Sequence, residues 1–280
     1  MWWKDILVFT DGSPSGLARL RMAMDLAQAH SAHLEAHVVT GLPARQYGPA
    51  AGALEEAYRE ARHAAEGRAA QALEAVRKVA AGRENFTAIR SDAPASELRA
   101  AAAAAARATD LVVLGQPEAG DGDATDTEQL MGALFGGGQP CLMVPRWIAP
   151  RPWGKRALIA WKPTAQAARA VQAALPLLKQ AERVRVIVAD PRSQREGEDP
   201  HELMPLAKHL LRHGVLVEAP LVAEAEPGDA ADSICGEAEA SGADLLVMGA
   251  YGHTRFAEFL FGGVSRAIIK DARIPVLLAH

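Results

Sequence analysis

The sequence predicts an α/β protein of two tandem domains, each a five-stranded parallel sheet of order 3-2-1-4-5 with helices on both faces. Three observations lead there. Short apolar runs such as Ile6-Leu-Val-Phe9 and Leu245-Leu-Val-Met248 alternate with amphipathic stretches of helical length, the pattern of a mostly parallel sheet covered on both sides. The chain also repeats itself. Ile6-Leu-Val-Phe-Thr-Asp11-Gly-Ser13 is echoed by Leu158-Ile-Ala-Trp-Lys162-Pro-Thr164 at an offset of 151. Asp110-Leu-Val-Val-Leu-Gly115 is echoed by Asp244-Leu-Leu-Val-Met-Gly249 at 134, and Pro140-Cys-Leu-Met-Val144 by Pro275-Val-Leu-Leu-Ala279 at 135. Lastly, the 280 residues suit one large or two ordinary domains. The change in offset places the extra length of the first copy within 41–81. The domains are set at 1–146 and 155–280. The linker between them carries Trp147, Pro150, Pro152 and Trp153, which predicts that it packs on the domains.

In the first copy, residues 5–10 read as a Val/Ile/Leu strand, and Ser13 is placed to N-cap a helix reaching about His30. Alternation makes 34–40 a strand, and an Ala/Glu/Arg pattern makes 52–81 a long helix. Residues 85–91 form a strand, 95–108 an alanine-rich helix whose small face suits close packing on the sheet, and 110–115 a strand. A helix follows over 124–135; Gly136-Gly137-Gly138 ends it and turns into a last strand at 140–145. The second copy gives strands near 157–161, 184–189, 215–222, 244–249 and 275–279. Its helices fall near 164–180, 201–213, 229–241 and 262–271. The terminal strands 140–145 and 275–279 are apolar, and their edges need covering. They are expected to pair antiparallel.

Composition narrows the function. A net charge of −4 and a pI near 6.2 give no global basic field for nucleic acid or an anionic membrane. No apolar stretch approaches the roughly 20 residues that span a bilayer, and Lys4 and Asp5 interrupt the start, so no signal peptide is read there. Two cysteines make no disulfide framework and fit a reducing compartment. A cytoplasmic protein is expected.

In an open sheet of this order, ligands sit outside the carboxyl ends of the strands where the winding reverses, between the first and fourth strands. The walls are Thr10–Ser13 and the loop after Gly115 in the first copy. In the second they are Trp161–Thr164 and the stretch from Gly249 to Ser265. That stretch reads Gly249-x2-Gly252-x9-Gly262-Gly263-Val264-Ser265: a strand, a glycine-spaced loop and a helix start. Free backbone N–H groups and a helix dipole there suit an anion, above all a phosphate. No Lys-Ser/Thr pair follows the second glycine cluster, so this is not a P-loop. His253 lies inside the loop, as a phosphate donor or as a solvated histidine. Trp161 is placed either to stack on a base or to fill the core.

The glycine spacing, the Val264-Ser265 that follows it, the Pro-Val-Leu strand at 275–277 and the opening Ile6–Ser13 segment resemble the universal stress protein family. The resemblance covers the chain twice, as in tandem two-domain members. It implies Rossmann-like, adenine nucleotide alpha hydrolase-like domains that in many members bind ATP or AMP and pair through their last strands. By that resemblance the opening Asp contacts adenine, the end of the second strand lines the base pocket, and the glycine loop holds ribose and phosphates. The cofactor-binding set is then Trp161, Lys162, Pro163, Ala189, Asp190, Gly249, Gly252, His253, Gly262, Gly263, Val264 and Ser265. A reduced base pocket in the first copy comprises Thr10, Asp11, Val39 and Gly115. No catalytic or metal-binding residue is assigned, and the fold needs no metal.

The sequence departs from the family pattern at telling places. Lys162 stands where an Asp is usual; an ammonium accepts no hydrogen bond from adenine but attracts phosphate. Gly263 replaces a Ser or Thr, removing a hydroxyl and keeping its N–H. In the first copy Glu118 occupies the second-glycine position, and Asp121, Asp123 and Asp126 add charge that repels phosphate. The first copy therefore keeps the base end and loses the phosphate end, and the second shows the reverse. His209/His213 and His33/His37 have pairwise metal spacing without a third ligand, and Cys141 and Cys235 read as small buried hydrophobes. Three readings remain: a stress-response protein holding an adenine nucleotide in its second copy as ligand or switch, a nucleotide-free scaffold or interaction protein of the same fold, and a weak ATPase; under any of them, whether two chains associate further as a homodimer is open. Apart from Glu258 no carboxylate falls in the glycine loop, and the sequence offers no nucleophile–base pair, which ranks the enzyme last.

Overall fold

The computed structural model describes residues 3–42, 51–118, 124–147, 152–189, 203–218, 221–222, 229–250 and 263–280. Contacts divide the chain into two units, Met1–Gln139 and Pro140–His280.

The first unit runs β1 (Asp5–Thr10), α1 (Pro14–His30), β2 (His33–Leu42), α2 (Ala51–Val79), β3 (Phe86–Pro94), α3 (Leu98–Ala106), β4 (Leu111–Gly115) and α4 (Thr125–Met131), which continues into a π-helical turn at Gly132–Gly137. Its sheet has the order β3-β2-β1-β4, all parallel. Ile6 to Thr10 and Leu111 to Gly115 are buried without a break, as expected of strands covered on both faces. Ser13 does cap α1: its Oγ accepts from Gly16 N at 3.1 Å. α2 is 29 residues long, whereas its counterpart in the second copy has 10, and this is where the first copy holds its extra length.

The second unit contains β5 (Cys141–Val144), β6 (Arg156–Ala160), α5 (Ala165–Leu178), β7 (Arg183–Val188), α6 (Leu203–Arg212), β8 (Leu221–Val222), α7 (Ala230–Ala240), β9 (Leu245–Gly249), α8 (Gly263–Asp271) and β10 (Val276–Ala279). β10-β9-β6-β7-β8 is the 3-2-1-4-5 winding read from its far edge, all parallel. β5, the last strand of the first copy by sequence, lies antiparallel against β10, with Met143 opposite Val276 and Cys141 opposite Leu278. This is the terminal-strand pairing the sequence leads one to expect.

One device recurs in both copies. The Asp110 carboxylate accepts from the Lys4 and Asp5 amides at 2.6 and 3.0 Å, and Asp244 accepts from Arg156 N at 2.8 Å. The aspartate that opens each fourth strand therefore fixes the entry of the first strand beside it. Its recurrence in the repeat reflects this structural task.

Three expectations are corrected. The strand read at 215–222 is, among the described residues, a bridge from Val217 to Val184 and a two-residue strand at Leu221–Val222; residues 219 and 220 lie outside the described residues. Trp147 is 94% exposed, so this part of the linker is not held by aromatic packing. The small face of α3 meets the π-helical turn: a Cβ on Gly136 or Gly137 would lie 2.7 Å from Ala103 Cβ or 2.6 Å from Ala106 Cβ. Alanine against glycine lets these two backbones approach more closely than branched side chains allow. The glycines at 136–137 thus extend the helix, and Gly138, at φ 72°, ends it.

His30, at the end of α1, is buried against Trp3, ring centroids 4.7 Å apart, and its Nε2 has no hydrogen-bond partner. Burial lowers its pKa. The unfolded chain therefore binds the proton more readily, so the stability held with neutral His30 is complete above about pH 6.5 and is lost as pH falls through the lower folded value. His30→Leu is expected to flatten the acid side of a urea-midpoint against pH curve below pH 6.5. An unchanged acid slope would show that another group controls it.

Candidate functional site

The carboxyl ends of the strands differ sharply between the two units. In the first, the β1–β4 register runs from Ile6–Leu111 to Val8–Val113. Just beyond it the Phe9 carbonyl accepts from Arg19 Nε at 2.7 Å. Arg19 comes from the first turns of α1 and is only 7% exposed. One of its terminal nitrogens lies 3.9 Å from Asp126 Oδ1, near the start of α4. A Cβ on Gly115 would fall 1.9 Å from that guanidinium nitrogen and 2.7–2.8 Å from the Asp126 carboxylate oxygens. Residue 115 is glycine here because a guanidinium and a carboxylate occupy the space a side chain would need. The charge of Asp126, read from sequence as repelling phosphate, is balanced by Arg19.

Around this point, Asp11 Oδ1 accepts from Ser13 N at 3.1 Å and Ser13 Oγ at 2.7 Å. One oxygen of the family-like aspartate is thus engaged in building the start of α1. Thr10 and Val39 are buried, at the ends of β1 and β2. Ala72 of α2 covers Gly12, with its Cα 2.7 Å from where a Cβ would sit. Asp121 and Asp123 lie outside the described residues, and Glu118 is exposed.

In the second unit the residue at the repeat position of Arg19 is Ala170, fully buried. The start of α5 packs directly on the end of β9: a Cβ on Gly249 would lie 2.5 Å from Ala167 N and 2.7 Å from Gln166 C. Thr164 Oγ1 caps this helix by accepting from Ala167 N at 3.3 Å. Lys162 and Pro163 are exposed before it, Trp161 is buried with its main-chain N–H donating to the Ile187 carbonyl at 2.8 Å, and Ala189 is half-buried beyond β7. α8 opens at exposed Gly263, where a Cβ would meet nothing within 4 Å among the described residues. Val264 is half-buried and Ser265 buried. Asp190, Gly252, His253, Glu258 and Gly262 lie outside the described residues.

Arg19, Arg169 and His280 give no signal at these strand ends that sequence reasoning uses, and Asp126 reads there only as a repelling charge. His280 Nδ1 donates to Ala250 O at 3.0 Å, and Arg169 donates to the His280 carbonyl at 2.9 Å. They hold the first residue after β9 in place. Arg19 and Asp126 were missed as a pair. The available clue was a cation on the apolar stripe Gly16-Arg19-Leu20-Ala23-Met24 of α1, a position where charge needs a partner.

The histidine pairs engage neighbouring side chains. His33 bonds Thr87 Oγ1 at 3.0 Å and His37 bonds Glu35 Oε1 at 2.6 Å. His209 and His213 meet edge to face, 4.7 Å apart. No group of three or more metal-ligating side chains is found among the described residues. Burial raises the pKa of both Cys141 and Cys235, which disfavours a thiolate. No helix among the described residues is long and apolar enough to cross a membrane.

The model of the universal stress protein family matches residues 3–127 and 154–280. The chain belongs to the universal stress protein family. Two universal stress repeats therefore account for nearly all of it. A universal stress protein from Archaeoglobus fulgidus is 17% identical over 98% of this chain and 97% of its own, with a TM-score of 0.66. A functionally unknown protein from Pseudomonas aeruginosa is 18% identical over 99% of this chain and 92% of its own, at 0.61. Both share the fold over the full two-repeat length. A search of curated proteins gives no match.

Proposed function

We propose that this universal stress protein binds an adenine nucleotide, ATP or AMP, in its second repeat, as a ligand or switch and with little turnover. The observation that carries the reading is the contrast between the two crevices. A buried arginine pair fills the first, whereas the second has Ala170 at the matching position and an exposed glycine opening the helix beyond its glycine loop. Backbone N–H groups at such a helix start suit phosphate. Lys162 is exposed beside the same strand ends and adds attraction that salt screens. The repeats are read as domains 1–146 and 155–280, with the β5–β10 pairing supporting an intramolecular pseudo-dimer. A cytoplasmic location accompanies this reading.

The filled first crevice also favours a second reading, in which the fold serves as a scaffold without ligand. Calorimetry with ATP and AMP separates the two. Binding of one nucleotide per chain, lost by at least tenfold in a folded Gly252→Val protein, is expected, because a branched side chain there obstructs the phosphate path. Unchanged affinity in that variant would move the site elsewhere. No binding to the unmodified protein would leave the scaffold.

A further inference from the structure

We propose that Arg19 and Asp126 form a stopper that closes the crevice of the first repeat to nucleotides. The winding of the sheet reverses there, between β1 and β4, and their register stops at Val8–Val113. An open split at this point is where a ligand finds free main-chain groups. Here the Phe9 carbonyl is already taken by Arg19 Nε at 2.7 Å. The guanidinium lies against the Cα of Gly115 so closely that even a methyl group would collide with it at 1.9 Å. Asp126 closes the other side, its oxygens 2.7–2.8 Å from the same point. The side chains of Arg19 and Asp126 are 8% and 23% exposed.

This pair brings its own positive and negative charge to a site that a ligand would otherwise fill. A nucleotide entering it would have to expel a desolvated cation from its carbonyl and carboxylate partners, and buried charges without partners are strongly disfavoured. The second repeat lacks the device, because Ala170 replaces the arginine. The repeats are therefore specialised by one buried ion pair, in addition to the divergence of their loops. The inference that the second repeat is the loaded one rests on the function proposed above; the closure of the first stands on its own geometry.

The test is photolabelling with 8-azido-ATP followed by peptide mapping, on the unmodified protein and on Arg19→Ala/Asp126→Ala. Label in 140–280 of the unmodified protein reports on the nucleotide reading alone; label in 1–139 reports on the stopper. The expected result is no specific label in 1–139 of the unmodified protein and at least a tenfold gain there in the double variant. Equal labelling of 1–139 in both proteins overturns the proposal, and so does a folded double variant with no gain. Should the double variant fail to fold, the Arg19 Nε–H resonance of the unmodified protein decides. A signal unmoved by millimolar ATP supports the stopper, and a shifted or lost signal overturns it.

Discussion

Gly249→Ala is expected to destabilise the second unit by about 2–3 kcal/mol, the upper range for overpacking a tight contact. The added carbon would sit 2.5 Å from Ala167 N and 2.7 Å from Gln166 C, both main-chain atoms of the region where α5 begins. A flexible side chain can swing aside from such a collision, but a capped helix start cannot. Relief requires α5 to move away from β9, which also disturbs Ala170 and the Thr164 cap. Gly263→Ala provides the matched control, since a Cβ there meets nothing within 4 Å among the described residues, and it should shift stability by no more than about 0.5 kcal/mol. Urea midpoints followed by tryptophan fluorescence compare the two. Equal midpoints would show that the α5–β9 contact yields without cost.

Arg19→Ala is expected to cost about 3 kcal/mol in the first unit, in the range found when one partner of a buried pair is removed. The loss combines the bond to Phe9 O, the packing of the arginine stem and the partner of Asp126. Asp126→Ala should also destabilise, because the buried guanidinium loses its carboxylate neighbour. Since each single change removes the same contact between the two charges, the double variant should be more stable than the sum of the two losses implies, by about 1 kcal/mol or more. Urea unfolding of the four proteins gives the coupling directly. Strict additivity would show that the two side chains are neighbours without being partners.

Much of the architecture was legible because its signals are local. Ser13 and the strands at 5–10 and 110–115 follow from capping chemistry and unbroken apolar runs, and the internal repeat set both the domain count and the place of the added length. The last-strand pairing followed from the need to cover apolar edges. The run at 215–222 reads as one strand because it is mostly apolar, whereas among the described residues only the Val217 bridge and Leu221–Val222 pair with β7. The Ala100–Ala106 face was read correctly as small but given the wrong neighbour. Which surface a small face meets depends on the glycines at 132–137, and nothing within α3 itself records it. The site was legible as a location more than as a mechanism. The winding rule places the crevice, yet its occupant in the first unit comes from Arg19 and Asp126, more than a hundred residues apart and joined only by the fold. At Gly115 any added side chain would meet the Arg19 guanidinium. A glycine in a sequence reports that space is needed without saying what fills it.

The antiparallel pairing of β5 with β10 has a consequence for how the protein is made. Met143 and Val276 are neighbours in the sheet although more than 130 residues separate them along the chain. On the ribosome, β5 emerges early and must wait, with an apolar edge, until β10 has been synthesised. Contacts of such long range slow folding and prolong the exposure of sticky edges. The first unit contains its own β3-β2-β1-β4 sheet by then, so it can consolidate while the second is still incomplete. The vulnerable interval in the life of this molecule is therefore the translation of its second repeat, when strand 141–144 is present and its partner at 276–279 is not.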